Sequence, residues 1–137
     1  MKLNIGAGND IRIGWENTDQ EEDWFTTKRP KESVDAILFN HCAMYIRPEE
    51  MNMLLKKWYV WLKRGGTLHI ETQNLDKIGT DLRLLYGEGD NAGHRWAWTP
   101  SELGKLMRNA GFDNVTSIPG ILHGWPERDF LITGTKI

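Results

Sequence analysis

The segment from Lys2 to Asp19 places a tight glycine turn between two short strand patterns. An apolar run ends at Ile5, Gly6-Ala7-Gly8 follows, and a second short run leads to the carboxylate of Asp19. Two glycines one residue apart let the backbone bend sharply and leave bare peptide groups against which a ligand can lie. A carboxylate at the end of the neighbouring strand can accept hydrogen bonds from both hydroxyls of a ribose. The segment therefore predicts binding of a nucleoside-type cofactor.

The glycine spacing differs from the dinucleotide fingerprint. Asp10 occupies the position where a third glycine could stand, and no Gly-x-Gly-x-x-Gly run follows. This difference argues against NAD. Because Gly-x-Gly also occurs by chance in many loops, the turn needs support from the rest of the chain.

Composition restricts the class of protein further. The 137 residues predict one domain, and 26% charged residues with a formal net charge of −2 argue against nucleic acid or an anionic membrane as partner. The single cysteine, Cys42, excludes an internal disulfide and fits a reducing compartment. The sequence has no long apolar run and no signal-like amino terminus, so we predict a cytoplasmic protein. Scattered histidines and a lone cysteine predict no metal site.

Hydrophobic periodicity predicts alternating strands and helices after the turn. Proline and acidic residues open one helix at Arg47-Pro48-Glu49-Glu50, and a threonine cap opens another at Thr99. The predicted elements are a buried strand Val34 to Phe39, a helix from Pro48 that ends at Lys63-Arg64-Gly65, a strand Thr67 to Thr72, a helix from Leu75 to Leu85 closing at Gly87, a helix from Thr99 to Ala110, and strands Val115 to Ile118 and Phe130 to Thr135.

Four segments, in this order, resemble the motifs of class I S-adenosylmethionine-dependent methyltransferases. Leu3 to Asn9 is similar to the glycine turn that faces the methionine part of the cofactor. Ser33 to His41 resembles the fourth strand and the residues after it, and Trp61 to Ile70 resembles the turn into the fifth strand, with Arg64 in place of a proline. Leu103 to Val115 is similar to the helix and turn before the last two strands. The resemblance covers most of the chain and identifies it as a small, type 11-like member with a shortened amino-terminal half.

The resemblance implies an α/β, three-layer Rossmann-like methyltransferase fold. It further implies a mostly parallel sheet that ends in an antiparallel hairpin. About fifteen residues join Asp19 to the next strand, so the third strand of the family is expected to be shortened or missing. S-adenosylmethionine is the implied cofactor and S-adenosylhomocysteine the product. The predicted cofactor-binding residues are Asn4, Gly6, Ala7, Gly8, Asp19, Asn40 and His41.

His41 and His94 are the candidate catalytic bases. His41 follows a buried strand, and the carboxyl ends of strands in open α/β sheets face the ligand crevice. His94 and Arg95 follow a glycine-rich segment that could close over a substrate. The alternative for His41 is a hydrogen bond to the backbone of its own turn, and the tryptophans are expected mainly in the core.

The sequence leaves the acceptor and the activity open. A small molecule or a glycan is the expected acceptor, and a second copy of the chain could cover an apolar sheet edge to form a homodimer. Many relatives carry a Glu-His pair where this chain has Met44-Tyr45. A binding or interaction module that keeps the fold without catalysis is therefore the alternative function.

Overall fold

The protein is described by a computed structural model that covers residues 1–18, 24–89 and 93–137. Six strands form one sheet in the order β2-β1-β3-β4-β6-β5. Neighbouring strands from β2 to β4 are parallel, whereas β6 is antiparallel to both β4 and β5. The strands are β1 (Lys2–Ile5), β2 (Glu16–Asn17), β3 (Val34–Asn40), β4 (Leu62–Gln73), β5 (Asp113–Pro119) and β6 (Asp129–Thr135).

This sheet confirms the predicted Rossmann-like fold and its antiparallel carboxyl-terminal hairpin. Within the described ranges, no strand lies between β2 and β3, as expected if the third strand of the family is missing. The edge strand β2 is only two residues long. The described part of the chain contains no helix that is long and apolar enough to cross a membrane.

Within the described residues four α-helices accompany the sheet, and the signals that begin the first and the last of them are visible in the sequence. The helices are α1 (Pro48–Trp61), α2 (Leu75–Ile78), α3 (Leu82–Tyr86) and α4 (Pro100–Asn109). At α1 the Glu50 carboxylate accepts a hydrogen bond from the backbone N–H of Arg47 at 3.1 Å. At α4 the Thr99 hydroxyl accepts one from the N–H of Glu102 at 3.1 Å. Both contacts satisfy N–H groups that a helix start would otherwise leave unpaired.

Two predicted helix boundaries were wrong. The first helix ends at Trp61 and not at Lys63-Arg64-Gly65, because Leu62 is buried and pairs with Val34 as the start of β4. The predicted helix from Leu75 to Leu85 is divided into α2 and α3. Gly79 leaves helical geometry with a φ of 55°, and the Asp81 carboxylate then caps α3 by accepting from the N–H of Arg83 at 3.1 Å.

The main core lies on one face of the sheet, beneath α1 and α4. Alternate residues of the central strands meet the buried stripes of both helices in a single apolar cluster. Phe39 of β3 lies edge-on between Trp58 and Trp24, at ring-centroid distances of 5.0 and 5.1 Å. Trp58, Trp61 and Trp98 are buried, so these three tryptophans fill the core as expected. Full burial of each such ring contributes about 2–3 kcal/mol.

Candidate functional site

Of the predicted site residues that the structure describes, the glycine turn, Asn40 and His41 lie at one edge of the sheet. The parallel strands β1, β3 and β4 end there, and the antiparallel strand β6 begins there, so Asn40 pairs with Glu71 and Gln73 pairs with Asp129. This geometry gathers side chains from distant parts of the sequence into one row. The row has a glycine end at Gly6 to Asp10 and a histidine end at His41.

The glycine turn is fastened to the end of β2. The N–H of Gly6 donates to the hydroxyl of Thr18 at 3.1 Å, and the N–H of Ala7 donates to the Thr18 carbonyl at 2.8 Å. Gly6 and Gly8 have φ values of 67° and 52°, which favour glycine. The predicted sharp bend is therefore present.

Internal packing also requires a glycine at position 6. A Cβ atom there would lie 2.7 Å from the Cys42 sulfur and 3.0 Å from the Trp24 ring. The space behind Gly6 is thus filled by the protein's own side chains. Gly8 is exposed at the surface of the turn. Of the two glycines, Gly8 is the one that leaves its backbone open to a ligand.

Asn4 and Asn40 converge on Asp10 from two strands. The Asn4 amide donates to the Asp10 carbonyl at 2.7 Å, and the Asn40 amide donates to the Asp10 carboxylate at 3.0 Å. The side-chain oxygens of both asparagines are buried, and neither has a hydrogen-bond partner in the described structure. An unsatisfied buried acceptor costs about 1–3 kcal/mol, so this end of the row favours an external donor. Sequence reasoning missed Asp10, whose only signal is its position after the turn.

His41 begins the histidine end of the row and is paired with Asp129. The two side chains meet at 2.9 Å between Nε2 and Oδ2, although they are 88 residues apart in sequence. The His41 ring also stacks on His123, with centroids 3.9 Å apart. The side chain of His41 is therefore not used only to close its own turn.

Asp129 is a fully buried carboxylate with a cationic partner. Arg128 donates from Nε at 2.6 Å and from Nη2 at 2.8 Å, one bond to each oxygen. Burial by itself raises the pKa of Asp129, but the hydrogen bonds from His41 and Arg128 outweigh it and hold the pKa below its ordinary value. The Arg128 guanidinium lies 4.1 Å above the ring of Trp125, which is partly exposed.

Glu71 anchors the loop that carries these groups. Its buried carboxylate accepts hydrogen bonds from the backbone N–H groups of Ile121, Leu122 and His123 at 2.7, 2.9 and 2.7 Å. The loop between β5 and β6 is thereby held over the end of β4. Sequence reasoning missed Glu71 and Asp129. The signals were an acid inside an apolar strand and an acid directly before one, and neither identifies its partner.

His41, Glu71 and Asp129 bring three potential metal-ligating atoms within 4.8 Å of one another. The carboxylate oxygens of Glu71 and Asp129 are already engaged, because Glu71 accepts three backbone N–H groups and Asp129 accepts from Arg128 and His41. This pattern is typical of an internal hydrogen-bond network rather than of an ion site. The absence of a metal site stays a prediction.

His94, the second candidate base, is held by the backbone. Its Nδ1 lies 3.0 Å from the Leu84 carbonyl, which can only accept, so Nδ1 carries the proton and Nε2 is the basic atom. Burial lowers its pKa; the Leu84 hydrogen bond raises it, and the charges of His41 and Arg128 lower it further. Arg95 pairs with Glu50 at 3.1 Å. Among the described residues no hydrogen bond to His94 Nε2 is seen, whereas Arg95 is engaged with Glu50.

Cys42 is an inert part of this edge. Its sulfur lies against the turn, 3.5 Å from the Gly6 carbonyl. Burial raises the pKa of the Cys42 thiol to about 12, with a smaller contribution from the charge of Asp10. The thiol is therefore uncharged near neutral pH and contributes packing rather than nucleophilic chemistry.

Asp19 and the other residues of 19–23 lie outside the described residues. The predicted contact between Asp19 and a ribose therefore stays a prediction, and so do the cofactor-binding and catalytic roles of the other predicted residues. The structure brings Asn4, Asn40 and the glycine turn together around Asp10. His41, the next residue after Asn40, turns its side chain the other way, toward Asp129.

Known structures share this fold. A S-adenosylmethionine-dependent methyltransferase from Archaeoglobus fulgidus is 16% identical with a TM-score of 0.77, and the match covers 98% of this chain and 85% of that one. The methyltransferase SibL, solved in its apo form, is 18% identical with a TM-score of 0.73. This chain, covered to 98%, spans only 50% of the length of SibL. Human N-acetylserotonin methyltransferase in complex with S-adenosylmethionine is 18% identical with a TM-score of 0.65, covering 98% of this chain and 40% of that one.

Sequence comparison gives the family directly. No curated protein matches the chain significantly. A protein-family model described as a methyltransferase domain matches residues 7–117, which is most of the chain. The match includes Gly8, β3 with Asn40 and His41, and helix α4. The predicted family is thus confirmed, and the chain belongs to the methyltransferase-domain family.

Proposed function

We propose that the protein transfers a methyl group from S-adenosylmethionine to a small or glycan-type acceptor. The family match supports methyl transfer in general. Within the chain, the proposal rests on one observation about the carboxyl edge of the sheet. The buried side-chain oxygens of Asn4 and Asn40 have no partner among the described residues, and next to them His41 is hydrogen-bonded to Asp129. Methyl transfer needs adjacent sites for a cofactor and an acceptor. We assign the asparagine oxygens to the cofactor and the histidine to the acceptor.

The residues at the glycine end fit the predicted cofactor. The amino group of its methionine part is a cationic donor, and Asn4, Asn40 and Asp10 offer oxygen acceptors near the turn. Gly8 is open to the ligand, whereas the side of the turn at Gly6 is closed by Cys42 and Trp24. We therefore assign the methionine part to Asn4, Gly8, Asp10 and Asn40, with Asp19 as the candidate for the ribose.

The protein's own contribution to the reaction is positioning and proton transfer. S-adenosylmethionine supplies an already activated methyl group, so the protein needs to hold an acceptor atom in line with it and exclude water. For a hydroxyl acceptor, His41 or His94 accepts the proton; a carboxylate or a neutral amine needs no base. The Glu71-anchored loop places His123 beside His41 and Trp125 against Arg128, and we assign both rings to the wall of the acceptor site.

A fold that binds partners without catalysis is the second candidate. The observation that favours it is the packing of Cys42 and Trp24 behind Gly6. This packing explains why the position needs a glycine without any bound ligand. Within the described residues no strand follows β2 before β3, so one element that could cover an adenine ring is lacking there. In this alternative His41, His123 and Asp129 stabilise the loop between β5 and β6, and no methyl acceptor binds beside them.

Isothermal titration calorimetry with S-adenosylmethionine, S-adenosylhomocysteine and NAD separates the candidates. We expect saturable one-to-one binding of the first two ligands and no binding of NAD. Asn40→Ala should weaken the binding, while Asn52→Ala on α1 is a matched control outside the site. Absence of binding by both adenosyl ligands would remove the enzyme proposal and leave the non-catalytic module. The predicted homodimer and cytoplasmic location remain proposals.

A further inference from the structure

We propose that Asp129 is a positioning residue that holds His41 with its proton on Nε2 and its basic lone pair on Nδ1. The inference rests on the proposed function, because the basic nitrogen is assigned to the deprotonation of a hydroxyl acceptor. It deepens that function by naming the nitrogen that acts and the residue that selects it. Neither Asp129 nor this tautomer is visible from the sequence.

The hydrogen-bond pattern around Asp129 determines the position of the proton. Arg128 donates to both carboxylate oxygens, and the side chain is fully buried, so the carboxylate is held in its charged form by a bidentate cation. A charged carboxylate can only accept hydrogen bonds. The Nε2 atom of His41, 2.9 Å from Oδ2, must then be the donor. In the neutral ring this leaves the lone pair on Nδ1.

The orientation of the His41 ring is also constrained. His41 has a φ of 57°, a left-handed conformation that costs a residue with a side chain about 1–2 kcal/mol. Its backbone N–H donates to the Glu71 carbonyl at 2.8 Å, and one face of its ring stacks on His123. Glu71, His123 and Asp129 therefore hold the strained His41 in one orientation. Such strain persists only when the surroundings over-determine the conformation.

This arrangement suits an acceptor that must lose a proton. The acceptor hydroxyl transfers its proton to Nδ1, and an oxygen lone pair forms the new bond to the methyl carbon. The bond between that carbon and sulfur breaks at the same time, and its electrons remain on sulfur to give the neutral thioether product. Asp129 stabilises the protonated ring that results, because its carboxylate stays charged beside it.

The test is nitrogen-15 NMR of the histidine side chains in the full chain, without any cofactor, at about pH 8.5, where an ordinary imidazole is neutral. In the unsubstituted protein we expect His41 to carry its proton on Nε2. Asp129→Asn should shift the proton toward Nδ1, because an amide can donate to Nε2. Asp129→Glu should keep the original tautomer, and so should His123→Ala, which removes the stacked ring without removing the acceptor.

Two results would overturn the inference. One is a proton on Nδ1 of His41 in the unsubstituted protein, which decides the matter even if the variants do not fold. The other is an unchanged tautomer in folded Asp129→Asn. Because the measurement needs no ligand, its failure is distinct from a failure of the titrations with S-adenosylmethionine, which would leave the tautomer as measured.

Discussion

The two ends of the site differ in how completely their polar atoms are paired. At the histidine end, Glu71 and Asp129 have every carboxylate oxygen engaged by N–H donors of the chain itself. At the glycine end, Asn4 and Asn40 each keep a buried oxygen without a partner in the described residues. Because buried polar groups are nearly always paired in folded proteins, the difference supports the proposal that a cofactor completes the glycine end.

The two ends should also differ in whether their side chains contribute to stability or to ligand binding. A fully paired buried network stabilises the loop that carries it and depends on every member. An unpaired acceptor lowers stability slightly and gains its partner only with the ligand. We therefore expect substitutions at the histidine end to reduce stability, and substitutions of the asparagines to reduce ligand affinity.

The largest expected effect is at Glu71. Glu71→Ala removes the acceptor of three backbone N–H groups, and we expect a loss of about 3–5 kcal/mol in the free energy of unfolding. Glu71→Gln keeps one acceptor oxygen and should lose less, and exposed Glu88→Ala should change stability by less than about 0.5 kcal/mol. Urea denaturation measures all three. A small loss in Glu71→Ala would mean that solvent replaces the carboxylate and that the loop is not anchored there.

Gly6 tests the internal packing of the glycine end. Gly6→Ala brings a methyl group against Cys42 and Trp24 and requires a left-handed φ, so we expect a loss of about 2–4 kcal/mol. Gly8→Ala has the left-handed penalty at an exposed position and should lose about 1–2 kcal/mol. Cys42→Ala in the Gly6→Ala background should recover part of the loss. Thermal and urea denaturation give the values, and equal losses at both glycines would contradict the packing argument.

The buried carboxylate of Asp129 should make the stability of the fold depend on pH. Its pKa is lowered in the folded protein, so its ionised form stabilises the fold above the unfolded pKa of about 4 and this stabilisation is lost as pH falls through the folded pKa. Asp129→Asn should be less stable by about 2 kcal/mol near pH 7, and this difference should shrink below about pH 4. Urea denaturation from neutral to acidic pH measures it. A difference that is constant with pH would exclude the charge as its source.

The smallest expected effect is at Asn40. Asn40→Ala removes one acceptor for the cofactor's amino group, and we expect the affinity for S-adenosylhomocysteine to fall about tenfold with little change in stability. Asn52→Ala should leave the affinity unchanged. Titration calorimetry and thermal denaturation are the measurements. A large loss of stability without a loss of affinity would place Asn40 with the internal network instead of the ligand.

Local patterns in the sequence determined the elements and much of their order. The buried strand that leads into His41, the capped helix α4 and the last two strands all follow from periodicity and capping within a few residues. The family resemblance added the mostly parallel sheet with its antiparallel hairpin, and the general geometry of open α/β sheets pointed to the carboxyl edge as the site. The boundary at Leu62 and the break at Gly79 were not predicted, because pairing with β3 and the cap at Asp81 override helical spacing.

Only the tertiary structure decided the partners. The contacts of His41 with Asp129, of Glu71 with the loop at Ile121, and of Gly6 with Cys42 join residues 88, 50 and 36 positions apart. No periodicity encodes such pairs, since they depend on which strands become neighbours and on how one loop folds across their ends. The sequence thus specified which chemical groups the edge contains, while the fold decided which of them are satisfied by other described residues and which are not.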